Sequence, residues 1–442
     1  MTLELACLAL LYVTPLPAIP SHGMAPLPRG PLQSAATHAA HRIHALHGPR
    51  AGDQFGVALA TAGDVNGDGV HDWILGAPAT RVGQETVGRV IVVSGVNMTI
   101  LHEWFGAPGS LRLGGAVAAA GDVDQDGHGD LLVGAPYGAA GHGEVRLYSG
   151  ATGAVLKSWQ GSAAGDQFGR CVSGTQDVDG DGIPDVLVGA PQADIGGPNA
   201  GELSLFSGSD GTLLRVHRGS TFDQLGFSTV GTGDLNGDGR GDYAVGVPFS
   251  DAAAFNGGAV MVFSGTDGAL LYQVAGQVAG DQLGFGLSGG QELNGDGVLD
   301  LGVCAPGADA NGFDSGAAYA LSGLDGSLLR VFPGPGPGLY LSAVSLLGDV
   351  NGDGRGEVLA GCAGAQGAAN EAGQVELFSG SDGSSLKLFL GPRALGWFGA
   401  AVAGGGDVNG DGIPDFLVGA PGHQDHQELL GFVEVLSPVA LP

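Results

Sequence analysis

The chain has 442 residues, room for two or three ordinary domains or one large repeat array. Its 45 acidic residues against 16 basic ones leave a formal charge of −29. That balance argues against nucleic acid or an anionic membrane surface as a partner and suits a protein that binds cations. A hydrophobic fraction of 43% is enough to bury a core.

The N-terminus, "MTLELACLALLYVTPLPAIPSHGMA", carries an apolar run followed by small residues. Residues 1–25 are expected to be a secretory signal peptide, although Glu4 stands where a basic n-region is usual. Residues 26–40 read as a linker. No later run reaches the roughly 18 apolar residues of a membrane helix. The four cysteines, Cys7, Cys171, Cys304 and Cys362, show no zinc spacing and read as small buried hydrophobes.

From residue 53 onward the chain is periodic. "GDVNGDGVHD" (63–72) returns at 121, 176, 233, 291, 348 and 406, and the first acids of the seven copies are spaced 58, 55, 57, 58, 57 and 58 residues apart. The repeats begin near 53, 111, 166, 223, 281, 338 and 396. Nine residues before each first acid stands an apolar residue, usually followed by Gly: Phe55-Gly56, Leu113-Gly114, Phe168-Gly169, Leu225-Gly226, Leu283-Gly284, Tyr340-Leu341 and Phe398-Gly399. After the acidic loop come a short apolar run ending near Gly-Ala-Pro, an alternating run ending in Ser-Gly, and a turn into another short run. Such four- to eight-residue runs bounded by Gly, Pro and Asp are strands. Each repeat is therefore read as four antiparallel strands, A to D, with the acidic loop joining A to B.

Four-stranded units repeated radially make a β-propeller. The seventh repeat ends after strand C, with no room for D. "HRIHALHGPRAGDQFG" (41–56) parallels the D segment of repeat three. The expected fold is all-β: a seven-bladed β-propeller over residues 41–437, closed by N-terminal residues 41–47 completing the last blade, with 438–442 as a tail. An open solenoid is the alternative.

The Phe-Gly pair, the D-x-[DN]-x-D-G-x-x-D loop and the Gly-Ala-Pro run resemble the FG-GAP repeat of the integrin alpha-chain head, which also occurs in bacterial secreted proteins. The resemblance spans nearly the whole of 41–437. It implies a seven-bladed propeller with calcium in the A–B loops of one face and partners on the other. Unlike integrins, the chain is expected to carry no leg domains, membrane helix or tail, and to have seven metal-competent loops rather than a subset. Two Lys among the basic residues (Lys157 and Lys387) point to a GC-rich genome, in keeping with a bacterial source.

The loop chemistry is that of a hard cation. Calcium takes six to eight oxygens in flexible geometry. Numbering each loop from its first acid, positions 1, 3, 5 and 9 supply side-chain oxygens and position 7 a main-chain carbonyl. Loop one offers Asp64, Asn66, Asp68, Val70 and Asp72; loop two Asp122, Asp124, Asp126, His128 and Asp130. Loop three offers Asp177, Asp179, Asp181, Ile183 and Asp185; loop four Asp234, Asn236, Asp238, Arg240 and Asp242. Loop five offers Glu292, Asn294, Asp296, Val298 and Asp300; loop six Asp349, Asn351, Asp353, Arg355 and Glu357. Loop seven offers Asp407, Asn409, Asp411, Ile413 and Asp415. An EF-hand would need helices and an acid at position 12, where loop one has Leu75. A solvated acidic turn is the bland alternative. The expectation is Ca2+ at up to seven sites, which would move the formal charge from −29 to −15.

No nucleophile elbow, zinc-protease helix or phosphate-binding loop is present, so the expectation is a non-enzymatic protein. His38, His41, His44 and His47 are read as surface residues of the closing strand. His423 and His426, with Asp425, lie in the last B–C loop. "NMT" at Asn97 is a glycosylation sequon on the C–D turn. The B–C loops vary most and are the expected face for a protein or glycan ligand. The overall reading is a secreted or cell-surface binding module for adhesion. The alternatives are a structural surface protein in which calcium only stabilises the fold, and an accessory propeller of a secreted hydrolase complex. Oligomeric state is left open.

Overall fold

A computed structural model of the chain describes residues 41–107, 112–367, 369–422 and 430–439. The expected signal peptide and linker, with Cys7 and His38, lie outside the described residues, as do His423, Asp425 and His426. The described chain forms seven four-stranded antiparallel sheets and one small hairpin. Strands A and B are Ala58–Gly63 and Asp72–Ala77 in blade one, Ala116–Gly121 and Asp130–Ala135 in blade two, and Cys171–Thr175 and Asp185–Ala190 in blade three. They are Ser228–Gly233 and Asp242–Val247 in blade four, Gly286–Gln291 and Asp300–Ala305 in blade five, Ala343–Leu347 and Glu357–Cys362 in blade six, and Ala401–Gly404 and Phe416–Ala420 in blade seven. In each blade the order is A-B-C-D.

The seventh blade is completed from the other end of the chain. Arg42–His47 lies antiparallel to Phe432–Leu436 as its outermost strand. The ring is thus closed by main-chain hydrogen bonds, and the solenoid alternative is excluded. His41 anchors this join. Its N–H partner is not solvent: Nδ1 lies 3.0 Å from the Ser437 carbonyl, and the Ser437 amide donates to the His41 carbonyl at 2.8 Å. The expectation of a surface residue is therefore wrong for His41, which is buried, while His44 is half-buried and His47 exposed.

The B strands are buried along their whole length, for example "DWILGA" and "DLLVGA". A strand with a sheet packed on each face has no solvent side, so its apolar pattern is continuous rather than alternating. The core is correspondingly divided into seven clusters, each between adjacent blades. The closing one joins blades one and seven through Trp73, Leu75, Leu417 and Val433. Trp73 is fully buried and lies where a side chain at Gly405 would otherwise sit.

The repeated Phe-Gly and Gly-Ala-Pro pairs make this interface. The apolar residue of one blade bridges the Gly that precedes strand C of the blade before it, as in Gly88 with Leu113 and Gly143 with Phe168. The Gly of Gly-Ala-Pro faces the Phe-Gly carbonyl of the next blade so closely that a Cβ at Gly76 would collide with the Gly114 carbonyl. The same contact closes the ring between Gly419 and Gly56. At one interface both glycines are replaced together: Cys304 stands in blade five and Ser342 in blade six.

That interface corrects the register expected for blade six. Leu341 rather than Tyr340 makes the bridge, to Gly316. Leu341 is buried, and the Ser342 amide donates to the Gly361 carbonyl as its counterparts do. Tyr340 is half exposed, with its hydroxyl 3.0 Å from Asp314. The bridging position needs a buried aliphatic or Phe side chain, which Tyr340 does not provide.

Candidate metal centres on the A–B loops

All seven acidic loops connect A to B on one face of the ring, beside the C–D turns. Most loops fold around their first acid. Asp64 Oδ1 accepts the amides of Gly67 (2.7 Å) and Asp68 (3.1 Å), and Oδ2 accepts that of Gly69 (2.8 Å). Asp234, Asp349 and Asp407 repeat this pattern. Gly67 and Gly69 both have positive φ, which lets the amides turn inward. At position 3 Asn66 accepts the Asp68 amide, and at position 5 Asp68 accepts the Val70 amide. The Asn and Asp side chains at positions 3 and 5 are exposed, and some pair further: Asp238 Oδ2 accepts Asn236 Nδ2 at 3.0 Å and Asp353 Oδ2 the Ser381 hydroxyl at 2.7 Å.

Position 9 behaves differently. Asp72, Asp130, Asp185, Asp242, Asp300, Glu357 and Asp415 are each fully buried at the head of strand B. Asp72 Oδ2 accepts the amides of Val65 (2.9 Å) and Asn66 (3.3 Å), while Oδ1 accepts that of Gly95 (3.0 Å). Gly95 belongs to the Ser-Gly of the C–D turn. The same tie runs to Gly150, Gly208, Gly265 and Gly323 in blades two to five. Ser-Gly read from sequence as a simple turn; its Gly is in fact a partner of the loop acid. It must also be Gly, because a Cβ at Gly95 would strike the His71 carbonyl. In blade seven the equivalent residue is Pro438, which has no N–H, and the Asn409 side chain donates to Asp415 instead, at 3.3 Å.

Burial pushes these carboxyls upward, against the lowering effect of the amides. Asp185 and Asp300 are raised to about 6, and Glu357 and Asp415 to about 7, with neighbouring loop acids adding to the rise. Asp72, Asp130 and Asp242 are raised for the same first cause. Crowded, half-desolvated carboxylates of this kind are relieved by a bound cation.

The donor set fits a hard divalent ion. Asp122, Asp124 and Asp130 bring oxygens within 4.8 Å of one another, as do Asp177, Asp179 and Asp185, and Asp349, Asp353 and Glu357. These donors are all oxygen, and no His or Cys joins them. The space beside Gly69, Gly127, Gly182 and Gly354 is open. At position 7 two side chains reach the loop of the preceding blade. Arg240 Nη1 lies 2.8 Å from Asp177 of the preceding loop, and Arg355 Nη1 lies 2.7 Å from Glu292.

The opposite face carries the B–C and D–A connections. The first B–C loop forms the small hairpin Arg81–Val82 with Glu85–Thr86. The four most exposed aromatic side chains among the described residues are on this face: Phe313 (73%), Phe255 (70%), Phe222 (58%) and Tyr340 (51%). Asn97 is exposed on the C–D turn of the loop face.

Comparison with known proteins agrees with this geometry. The FG-GAP repeat family matches residues 114–155, 168–206 and 398–427, within blades two, three and seven. The fold is a seven-bladed β-propeller, and three of its blades match the FG-GAP repeat. It is integrin-alpha-like: the chain is 36% identical to human integrin alpha-IIb over 169 residues, 39% to human integrin alpha-7 over 158, and 35% to integrin alpha-3 of Cricetulus griseus over 166. Each match covers 33–34% of this chain and 13–16% of the relative, so the chain spans a small part of those proteins. The solved structure of BBS1N in complex with ARL6DN, soaked with mercury, shares the fold over 91% of this chain and 96% of its own, with a TM-score of 0.53 and 10% identity. At that identity the likeness is one of architecture alone.

Proposed function

We propose that this propeller is a secreted, calcium-stabilised binding module that engages a protein or glycan partner at a cell or matrix surface through its B–C and D–A face. One observation carries the reading. The most exposed aromatic side chains gather on the face away from the acidic loops, on connections that differ from blade to blade. Exposed aromatic side chains on a rigid frame are ready anchors for a partner, and loops on such a frame are a usual place for recognition. The acidic face, in contrast, is uniform and supports the ring. Asp122, Asp124, Asp130 and their counterparts would hold Ca2+, whose charge would neutralise the buried position-9 acids and fix the A–B loop to the C–D turn.

The proposal treats the protein as non-catalytic. Among the described residues no helix is long and apolar enough to cross a membrane. The test is capture of matrix or cell-surface partners by the full chain with calcium present. Exchanging the loops that carry Phe255 and Phe313 for glycine–serine segments is expected to abolish capture while leaving the fold intact. If capture survives every such exchange, that face is not the binding surface; if the intact chain captures no partner at all, the purely structural alternative is favoured.

A further inference from the structure

The seven loops are not equivalent. In blades two, four and six the side chain at position 7 is basic or imidazole (His128, Arg240 and Arg355), and position 8 is Gly. In blades one, three, five and seven position 7 is Val70, Ile183, Val298 or Ile413. Val70, Ile183 and Val298 pack into the interface with the preceding blade. The side chains of even blades instead reach back over the loop of the blade before. His128 lies against Gly67 of loop one, Arg240 against Gly180 of loop three, and Arg355 against Gly295 of loop five.

The two arginines make the same construction twice. Each pair joins residues 63 apart in sequence. Each leans over a position-4 glycine that leaves no room for a side chain once the guanidinium is in place. Behind each, a glycine at position 8 (Gly241 or Gly356) packs on a glutamine that precedes the first acid (Gln176 or Gln291). Both ion pairs are about two-thirds shielded or more on each side.

The guanidinium takes a coordination position. Asp177 Oδ2 accepts Gly182 N–H at 3.0 Å and Arg240 Nη1 at 2.8 Å, so both in-plane lone pairs of that oxygen are used. In loop four the matching Asp234 Oδ2 accepts only Gly239 N–H. In loops one, six and seven the matching oxygen likewise accepts one amide. In loop five Oε1 of Glu292 accepts the amides of Asn294 and Gly295, and Oε2, the oxygen left for a metal, is paired with Arg355.

We propose that Arg240 and Arg355 are built-in cations that neutralise loops three and five, so that these two loops bind a divalent ion more weakly than the other five. This rests on the calcium reading of the loops. A metal entering loop three or five must displace a guanidinium already paired to the position-1 carboxylate, or sit beside it against like charge. The arrangement would hold two of the seven loops in shape when calcium is scarce and leave the rest responsive to it.

Counting ions on the full chain tests this, by native mass spectrometry across a calcium titration. Wild type is expected to fill five sites before the last two, which need about tenfold more calcium. Arg240→Gln and Arg355→Gln should each move one site into the tighter group, and the double variant should move both. Asp177→Asn placed on Arg240→Gln should remove the site gained. Seven equal sites in wild type, or unchanged titrations in the arginine variants, would overturn the proposal. If wild type binds no calcium at any concentration, the calcium reading itself fails, and melting in chelator decides this one. Internal neutralisation requires the double variant to melt below wild type with no divalent ion present, and equal melting would refute it.

Discussion

On one face of the ring seven loops repeat almost residue for residue. On the other, the B–C connections share neither length nor composition, from "YGAAGHG" to "QADIGGPNAG". The same blades present both, so the frame does not explain the difference. The loop face is held by short-range chemistry that tolerates little change: amides into carboxylates, glycines against carbonyls. The opposite face has ties of its own, such as the Asn199, Asn256 and Asp314 amides on Asp194, Asp251 and Asp309 in blades three to five, yet its connections still differ in length and composition. Constraint on one side and freedom on the other is what separates a supporting site from a recognising one.

The largest test of that contrast is removal of divalent ions. Several sites bound only by the folded state each add about 2.7 kcal/mol at a hundredfold excess of ion over its Kd. Chelation should therefore lower the melting temperature by about 10 °C or more, followed by circular dichroism. Loop exchanges on the opposite face should leave it in place. A melting curve indifferent to chelator would remove the functional distinction between the faces.

Within the loop face, position 9 and position 5 should part company. Asp242→Ala leaves the amides of Leu235, Asn236 and Gly265 without their acceptor in a buried site, at about 1–3 kcal/mol for each group left unpaired. A loss of several kcal/mol in urea unfolding is expected with or without calcium. Asp68→Ala, at an exposed position that accepts only the Val70 amide, should matter by less than about 0.5 kcal/mol in chelator and show its effect only when calcium is added.

The position-9 acids also set a pH dependence of unusual sign. Their folded values lie above the ordinary values of about 3.9 for Asp and about 4.3 for Glu, reaching about 7 at Asp415 and Glu357. The folded, metal-free protein therefore holds protons that the unfolded chain has released, and its stability falls as pH rises from about 4 to about 7. In chelator the protein should melt higher at pH 5 than at pH 8, and added calcium should reverse the order. His217 opposes this in part: burial lowers it to about 4, so its contribution is lost as pH falls from about 6.5 toward 4. If chelated protein melts higher at pH 8, the buried acids do not carry the loop face.

Much of this was legible in the chain. The acids sit at fixed spacings because each loop closes on itself within ten residues, and the closing strand was visible because its partner lacked one. What escaped was what crosses between blades. Gly76 and Gly114 are demanded by each other, yet nothing local to either says so. The bridge at Leu341 rather than Tyr340 is decided by Gly316, in the neighbouring blade. Arg240 and Arg355 were placed by their carbonyls, since a loop pattern records where the main chain turns and not where a long side chain goes. His41 looked like one of a row of surface histidines because its burial depends on Ser437, at the far end of the chain.

The smallest expected effect on stability is the one that bears most on function. Phe255 and Phe313 are the most exposed aromatic residues described, and neither belongs to a core cluster. Phe255→Ser and Phe313→Ser should change unfolding free energy by no more than about 0.5 kcal/mol, since little buried surface is lost. If the face is a binding surface, partner capture should nevertheless fall at least tenfold, because aromatic anchors dominate interface energetics. A variant as stable as wild type and unable to bind would place recognition on the face that the ring leaves free. A variant that is less stable would mean that these side chains are packed after all, and that the two faces are both devoted to holding the ring.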